Sequence, residues 1–276
     1  MIPLEIARLT LPASCRLSLN RCNLPTEALA SFAFQLDPRS LELDGIHSLH
    51  HGLFERLDEE PDPTARVSLF RRHMNACFML DAPPEMGLSP SVRVDRSRMD
   101  YLCLLHGWMF SAESREGAVL KAWVESRFGL VTRYHCGMLD ALRQGGETRA
   151  AFEHSVAAGL YNASALESQL DLLYSWGQYE LGRRHPGQRH FTLYRGLSSL
   201  RTNLPRLDDG RQLVELNNLS SFSASLERAD EFGNIVISCA IPAAKILVFP
   251  GLLPGLLRSE DEYLVIGGVV AVRREY

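Results

Sequence analysis

The apolar residues of this chain recur with two different periods, and the change between them lies between Gly182 and His190. Up to Gly182 the spacing is mostly that of helices, whereas after His190 the apolar runs are short, β-rich and separated by turn residues. Strand and helix do not alternate regularly, which argues against a doubly wound parallel fold. We therefore predict an α+β chain with a largely helical part over residues 1–185 and a strand-rich core over residues 186–276, packed as one continuous domain.

Local signals place several elements within these two parts. Ser111 with Glu113 is typical of a helix start, and Gly129 is typical of a helix end. The runs after residue 190 predict a compact mixed sheet, and Gly267-Gly268 predicts a bend or bulge in its last strand. The predicted strands are His190–Tyr194, Leu219–Leu226, Ile235–Ile241, Ile246–Phe249 and Tyr263–Arg273, with a short helix near Glu227–Phe232.

Composition excludes several classes of protein. The chain is 46% hydrophobic and 22% charged, which provides enough apolar material for a sizeable core. A formal net charge of −4 offers no basic excess for a nucleic-acid partner, and no run of about 18 apolar residues predicts a membrane span. The six cysteines are scattered, with no CxxC pair, and the N-terminal sequence lacks a signal-peptide pattern. We therefore expect free thiols and a cytoplasmic location.

The motifs of several common enzyme classes are absent from the sequence. There is no G-x-G-x-x-G, no G-x-x-x-x-G-K-[ST] and no G-x-S-x-G, which argues against a Rossmann site, a P-loop and a serine hydrolase. His47, His50 and His51 form the one histidine cluster, with Asp44 nearby, but their spacing fits no common zinc pattern. We interpret this cluster as a solvated helix or loop face and predict no metal.

Three segments of the strand-rich part stand out together. The first is Leu193–Leu197, in which an arginine at a strand end is followed by glycine; the second is the serine-rich Leu219–Leu226; the third is Arg258–Tyr263, with three consecutive acids. Taken singly, they are typical of a surface ion pair, an exposed strand face and a solvated turn. The order of all three is the informative feature.

This order resembles the R-S-E signature of the ADP-ribosyltransferases related to cholera-type and arginine-specific toxins. The resemblance covers roughly residues 190 to 276 and implies an ADP-ribosyltransferase-like mixed β core with NAD as co-substrate. It implies that Arg195 binds phosphate, that Glu262 binds and stabilises the ribose, and that Ser223 fixes the rotamer of Glu262. Gly196 and Ser225 are implied as further NAD-binding residues. Ser221-Phe222-Ser223 offers a competing register for the middle motif, although we prefer Ser223 as its first serine.

The first acid of the E-x-E pair has a different implied task. On an extended chain residues two apart point to the same side, so Glu260 and Glu262 would face one site while Asp261 points away. A protonated guanidinium is a poor nucleophile at neutral pH, and a carboxylate can orient it and take its proton. Relatives that modify arginine carry an acid at this position, so Glu260 argues for arginine as the acceptor.

The whole chain resembles those members of the family that inactivate the nitrogenase iron protein. Its length, its helical first part and the forms Y-R-G-L, S-F-S-A-S and S-E-D-E-Y carry this resemblance. It implies the iron protein as target and a PII-type nitrogen-signalling protein as a further partner, with target recognition and regulation in the helical part. The alternatives are an NAD glycohydrolase, a transferase with another acceptor, and a non-catalytic NAD-binding module. The leucines Leu252, Leu253, Leu256 and Leu257 are either a docking patch for the target or part of the core.

Overall fold

The computed structural model describes residues 2–80, 99–139, 146–161, 165–200, 202–253 and 261–276. The α+β prediction is confirmed, because helices fill the described chain up to Arg184 and strands dominate from His190 onward. The helices of the first part are α1 Leu4–Ala7, α2 Thr26–Ala30, α3 Phe32–Leu36, α4 Ile46–Leu49, α5 His51–Glu59, α6 Pro63–Phe78, α7 Tyr101–Phe110, α8 Arg115–Phe128, α9 Glu147–Leu160 and α10 Leu166–Arg184. The second part holds β1 His190–Leu197, β2 Gln212–Ser223, α11 Leu226–Asp230, β3 Ile235–Pro242, β4 Ile246–Val248 and β5 Glu262–Arg274.

Helix α8 illustrates how local chemistry sets the ends of an element. Ser114, not Ser111, is its N-cap residue, and its hydroxyl accepts the amide of Gly117 at 3.0 Å. The helix ends as predicted at Gly129, whose φ of 71° lies in the left-handed region that favours glycine.

The strands form a small antiparallel barrel. Their order is β2-β1-β3-β5-β4, and an additional pairing of β2 with β5 joins the first strand of that order back to the sheet. The β1–β2 pairing is a single register position, Tyr194 opposite Ser223, and β2–β5 places Ser223 opposite Glu262. Every pairing between these strands is antiparallel, where the sequence indicated a mixed sheet. The closure brings the ends of β1 and β2 and the start of β5 together.

A bulge lies where the glycine pair predicts one, although the extra residue is on the facing strand. Leu216 pairs with Gly268 and Leu219 with Ile266, so two residues of β2 stand opposite Gly267 alone. A Cβ on Gly267 would lie 1.9 Å from the carbonyl oxygen of Asn217, which only glycine avoids. The bulge residue Asn218 is buried, and its amide donates to the carbonyl of Lys121 at 2.8 Å.

Buried polar contacts join the helical part to the barrel. The side-chain amide of Gln35 donates to the carbonyl of Ala240 at 3.0 Å and accepts from the amide of Ala271 at 2.7 Å. The hydroxyl of Tyr174 donates to the carbonyl of Ala244 at 2.8 Å. A hydrophobic cluster includes buried side chains from both parts. None of the helices in the described ranges combines the length and apolarity that crossing a membrane requires.

Candidate active site

A cleft of about 910 Å³ lies where the helical part meets the barrel. Its volume is at the upper end of the range common for small-molecule sites. The barrel supplies the end of β1, much of β2 and the first residue of β5, whereas the helical part supplies the end of α7, one residue of α8 and the segment that follows α8. Among the lining residues are Tyr194, Arg195, Gly196, Ser221, Ser223, Glu262, Trp108, Glu113, Lys121, Arg133 and Tyr134.

The carboxylate of Glu262 is held by donors from two different parts of the chain. Glu262 begins β5 and is only 5% exposed. Its Oε1 accepts the hydroxyl of Ser221 at 2.5 Å and the indole Nε1 of Trp108 at 3.0 Å. The same indole nitrogen lies 2.9 Å from the Ser221 hydroxyl oxygen. The side chains of Ser221 and Trp108 therefore fix the rotamer of a buried acid at the wall of the cleft.

The two serine registers proposed from the sequence have different contacts. Ser221, in the competing register, donates directly to Glu262. Ser223 is buried beside the cleft, and its hydroxyl accepts the amide of Ser225 at 3.0 Å. Ser225 is the N-cap of α11, where its hydroxyl accepts the amide of Arg228 at 3.2 Å and donates to Glu227 at 2.9 Å. Ser225 therefore has a clear role in beginning this helix.

Arg195 lies on β1 beside this acid. Its Nη1 donates to the carbonyl of Ser221 at 2.5 Å, and its guanidinium lies 5.8 Å from the ring centre of Phe222. Burial lowers the pKa of Arg195, and the nearby charge of Glu262 opposes that shift. An arginine nevertheless stays protonated in proteins, so Arg195 is a fixed cation with five N–H donors. It is suited to bind phosphate oxygens.

Gly196 is required for packing as well as lining the cleft. A Cβ at this position would lie 2.1 Å from the carbonyl oxygen of Ala229 and 2.9 Å from the amide nitrogen of Gly233. The turn that follows α11 therefore lies directly on β1. The neighbouring residues of β1, Tyr194 and Arg195, line the cleft together with Gly196.

Two residues of the helical part were missed by the sequence analysis. Trp108 is one; the other is Lys121 on α8, which is 3% exposed and lines the cleft. The Lys121 ammonium donates to the carbonyl of Tyr134 at 3.2 Å and lies 3.2 Å from Nδ1 of His135. Burial lowers its pKa to about 8, with Glu113 opposing the shift. Both residues lie in apolar helical runs, where the sequence favours a role in the core.

The mouth of the cleft carries apolar side chains in contact with solvent. Phe110 is 91% exposed and Met138 is 81% exposed, and both line the cleft. Phe232 and Tyr134 are also exposed there. Exposed apolar groups gathered around one cleft are typical of a surface that contacts a ligand or a partner.

The acidic segment before β5 differs from the geometry assumed for it. Asp261 has a φ of 47°, so the chain is not extended there and the same-side argument for Glu260 and Glu262 is wrong at that step. Glu260 itself lies outside the described residues, and its role stays a prediction. Leu252 and Leu253 are buried in the core, so they do not form an exposed patch; Leu256 and Leu257 also lie outside the described residues.

The histidine cluster also differs in part from the solvated face that the sequence indicated. His51 is exposed, with Nδ1 3.1 Å from the carbonyl of Ser48, in agreement with a solvated face. His50 is buried and contacts His73, so the interpretation as a solvated face is wrong for that residue. With Cys77 these two histidines form a group of potential metal ligands in the described part of the chain.

Comparison with known proteins gives concordant results. The family described as dinitrogenase reductase ADP-ribosyltransferase (DRAT) matches residues 19–274. The chain is similar to the NAD(+)--dinitrogen-reductase ADP-D-ribosyltransferase of Rhodospirillum rubrum, with 35% identity over 265 residues that cover 94% of this chain and 95% of the relative. No solved structure matches the chain.

Proposed function

The chain belongs to the dinitrogenase reductase ADP-ribosyltransferase family, and from this premise we propose that it transfers ADP-ribose from NAD to an arginine of dinitrogenase reductase, the nitrogenase iron protein. The observation that carries the proposal is the buried carboxylate of Glu262, held by Ser221 and Trp108 beside the cation of Arg195. An acid fixed in this way can stabilise positive charge that develops on a bound ligand.

The reaction exchanges one bond to the ribose C1′ for another. The bond from C1′ to the nicotinamide nitrogen breaks, and its electron pair leaves with neutral nicotinamide. A guanidinium nitrogen of the acceptor then bonds to C1′ and loses a proton. The ribose has oxocarbenium character between these events, so the negative charge of Glu262 stabilises the transition state more than the ground state.

The serine that positions Glu262 is proposed to be Ser221. It donates to Glu262 Oε1 at 2.5 Å, and Trp108 donates to the same oxygen. Because Oε1 accepts both donors, the carboxylate is kept in one orientation before NAD binds. Ser223 is assigned to the turn toward α11 through its contact with the Ser225 amide.

Arg195 and Lys121 are proposed to bind the pyrophosphate of NAD from opposite parts of the chain. Both line the cleft, and they are near enough for the charge of Arg195 to lower the pKa of Lys121. Arg133 also lines the cleft but is paired with Glu215 and with the carbonyl of Leu216. A dianionic pyrophosphate would satisfy Arg195 and Lys121 together.

The proton acceptor for the target arginine is proposed to be Glu260, on the family resemblance. Target recognition is proposed to use the apolar mouth of the cleft, where Phe110 and Met138 are exposed. A regulatory contact of the helical part with a PII-type protein, and a cytoplasmic location, follow from the same proposal. The alternative is hydrolysis of NAD, in which water instead of an arginine accepts the ADP-ribose. That reaction would make the chain an NAD glycohydrolase.

The experiment incubates the purified chain with dinitrogenase reductase and NAD labelled in its adenylate, and then maps the label by mass spectrometry. We expect one labelled arginine, and we expect Glu262→Gln to abolish the labelling. Glu59→Gln, the same change at an exposed position of α5, should leave it intact. Nicotinamide release without labelled protein would identify a glycohydrolase. A folded chain that consumes no NAD would overturn the proposal.

A second variant tests the choice of arginine as the acceptor. Glu260→Gln should lose transfer to protein but retain NAD hydrolysis, because water requires less activation than a protonated guanidinium to trap the ribose. Both rates are measured on one preparation, with circular dichroism as the folding control. Equal loss of both rates would assign Glu260 to NAD itself.

A further inference from the structure

A group of three metal-ligating side chains lies apart from the cleft described above. Nδ1 of His50 is 2.9 Å from Nε2 of His73, and Sγ of Cys77 is 3.3 Å from the same nitrogen. The candidate ligand atoms of all three lie within 4.8 Å of one another. None of the three residues lines the cleft.

The packing of two helices places these side chains together. His73 and Cys77 are four residues apart on α6, so they occupy the same face of that helix. His50 is the residue that precedes α5, and α5 packs against α6. His50 is only 7% exposed, His73 is half-buried and Cys77 is exposed. The group therefore has a buried inner side at His50 and an outer side at Cys77 that is open to solvent.

The facing nitrogens of the two imidazoles are placed as metal ligands. Nδ1 of His50 lies 2.9 Å from Nε2 of His73, so one ring donates a hydrogen bond to the other. A metal ion would take the place of this hydrogen bond, with each ring coordinating through the facing nitrogen and carrying its proton on the other nitrogen.

The distances also approach those of a tetrahedral site. With Zn–N bonds of about 2.05 Å and Zn–S bonds of about 2.3 Å, tetrahedral geometry separates two nitrogens by about 3.3 Å and a nitrogen and a sulfur by about 3.6 Å. The observed 2.9 and 3.3 Å are a few tenths of an ångström shorter. Small side-chain rotations would admit the ion.

We propose that His50, His73 and Cys77 form a binding site for one thiophilic transition-metal ion, with zinc as the best match. Two imidazoles and a thiolate select Zn²⁺ or Co²⁺ over Mg²⁺ and Ca²⁺, which prefer oxygen ligands. Water supplies the fourth ligand on the exposed side, next to Cys77. The ion joins the start of α5 to the end of α6, so its binding stabilises the helical part.

The first test titrates the chelator-treated full-length chain with Co²⁺ and follows the thiolate-to-cobalt charge-transfer absorption, with Zn²⁺ then displacing Co²⁺. We expect one ion per chain. Cys77→Ser and His73→Gln should each weaken binding on the order of 100-fold or more, whereas Cys103→Ser and His51→Gln, exposed residues outside the group, should leave it unchanged. Binding that survives both cluster variants, or no thiolate band, would overturn the proposal.

A second measurement uses the unmodified chain and does not depend on the folding of any variant. Cys77 and Cys103 are both exposed, so an alkylating reagent can reach either thiol. Stoichiometric Zn²⁺ should slow alkylation of Cys77 by about tenfold or more, leave Cys103 unaffected and raise the melting temperature. Mg²⁺ should neither slow the alkylation of Cys77 nor raise the melting temperature. Equal protection of both thiols, or of neither, would show that the group binds no ion. These readouts are independent of transferase activity.

Discussion

The indole Nε1 of Trp108 lies 3.0 Å from Oε1 of Glu262, so a residue of α7 holds the acid that begins β5. The two residues are 154 positions apart in the sequence. Both residues line the cleft, so this contact joins the helical part to the cleft wall of the barrel. The same indole nitrogen also lies 2.9 Å from the hydroxyl oxygen of Ser221. The orientation of the acid therefore depends on how the helical part packs against the barrel. Any partner that displaced α7 would alter the orientation of this carboxylate.

Trp108→Phe should reduce turnover by about tenfold to a hundredfold with little change in the KM for NAD. Phenylalanine retains most of the buried ring but cannot donate a hydrogen bond, so Oε1 of Glu262 loses the donor that Trp108 provides and keeps Ser221. The measurement is the kcat and KM for NAD with dinitrogenase reductase at saturating concentration.

The matched control for this variant is Trp176→Phe. Trp176 is fully buried, stacks on Phe70, and its indole nitrogen has no hydrogen-bond partner among the residues described. We expect this variant to lose stability without a selective loss of kcat. If both variants lowered kcat to the same extent, Trp108 would act through packing alone.

Ser221→Ala should reduce kcat more than Ser223→Ala. Ser221 donates to the carboxylate of Glu262, and the Ser223 hydroxyl accepts the backbone amide of Ser225 at the turn into α11. Ser223→Ala should therefore reduce thermal stability more than it reduces turnover. Parallel kinetics and melting curves separate the two effects, and a greater loss of kcat in Ser223→Ala would restore the register preferred from the sequence.

Arg195 and Glu262 could be chosen from the sequence because their signals are local, whereas the sequence favoured Ser223 over Ser221 as the serine of the middle motif. Arg195, Ser221 and Glu262 lie on strands that short apolar runs and the family resemblance both indicate. Pairing of β2 with β5 then brings the serine and the acid together. Trp108 could not be found in this way, since an apolar helical residue gives no sign of which distant carboxylate its nitrogen will reach.

Two further differences between the sequence-based predictions and the structure also arise from contacts that the local sequence does not show. Ser111 and Ser114 are both good N-cap residues, and the choice of Ser114 depends on its contact with the Gly117 amide. The neighbours His47, His50 and His51 look alike in the sequence, but the packing of α5 against α6 buries only His50. Local spacing does not contain this information.

Arg195→Lys should raise the KM for NAD by about tenfold or more. Lysine retains the charge but loses the planar set of donors, including the one that now binds the Ser221 carbonyl. NAD binding by calorimetry and steady-state kinetics should agree. Arg189→Lys, an exposed arginine paired with Asp37, is the control and should match the unmodified chain. Unchanged binding in Arg195→Lys would exclude the phosphate role.

The KM for NAD should rise as the pH is raised above about 8. The pKa of Lys121 is lowered to about 8 by burial, so its ammonium loses its charge in this range while Arg195 stays protonated. Bound pyrophosphate favours the charged form and should move the transition to higher pH in the complex. Lys121→Met should raise the KM at pH 7 and flatten this dependence; a variant that kept the same pH profile would assign the titration to another group.

A second buried lysine should make the stability of the fold depend on pH. Lys245 is 2% exposed, donates to the carbonyl of Gly267 at 2.6 Å and lies over the ring of Phe34. Burial lowers its pKa to about 7, whereas an unfolded lysine has a pKa of about 10.4. Between these values the unfolded chain binds more protons than the folded chain. The free energy of unfolding should therefore rise with pH across this window and fall as pH is lowered through about 7.

Urea unfolding of the unmodified chain and of Lys245→Met, measured from pH 7 to pH 10, isolates this contribution. The slope for the unmodified chain should be steeper by about 1 kcal/mol per pH unit, since one proton gives at most about 1.36. Cys239 is the titratable neighbour, and burial raises its pKa to about 12, so it stays a thiol throughout. The other ionisable groups are common to both proteins and cancel in the difference. Parallel curves would mean that the Lys245 ammonium reaches water in the folded chain, and that the bulge at Gly267 is held without a buried amine.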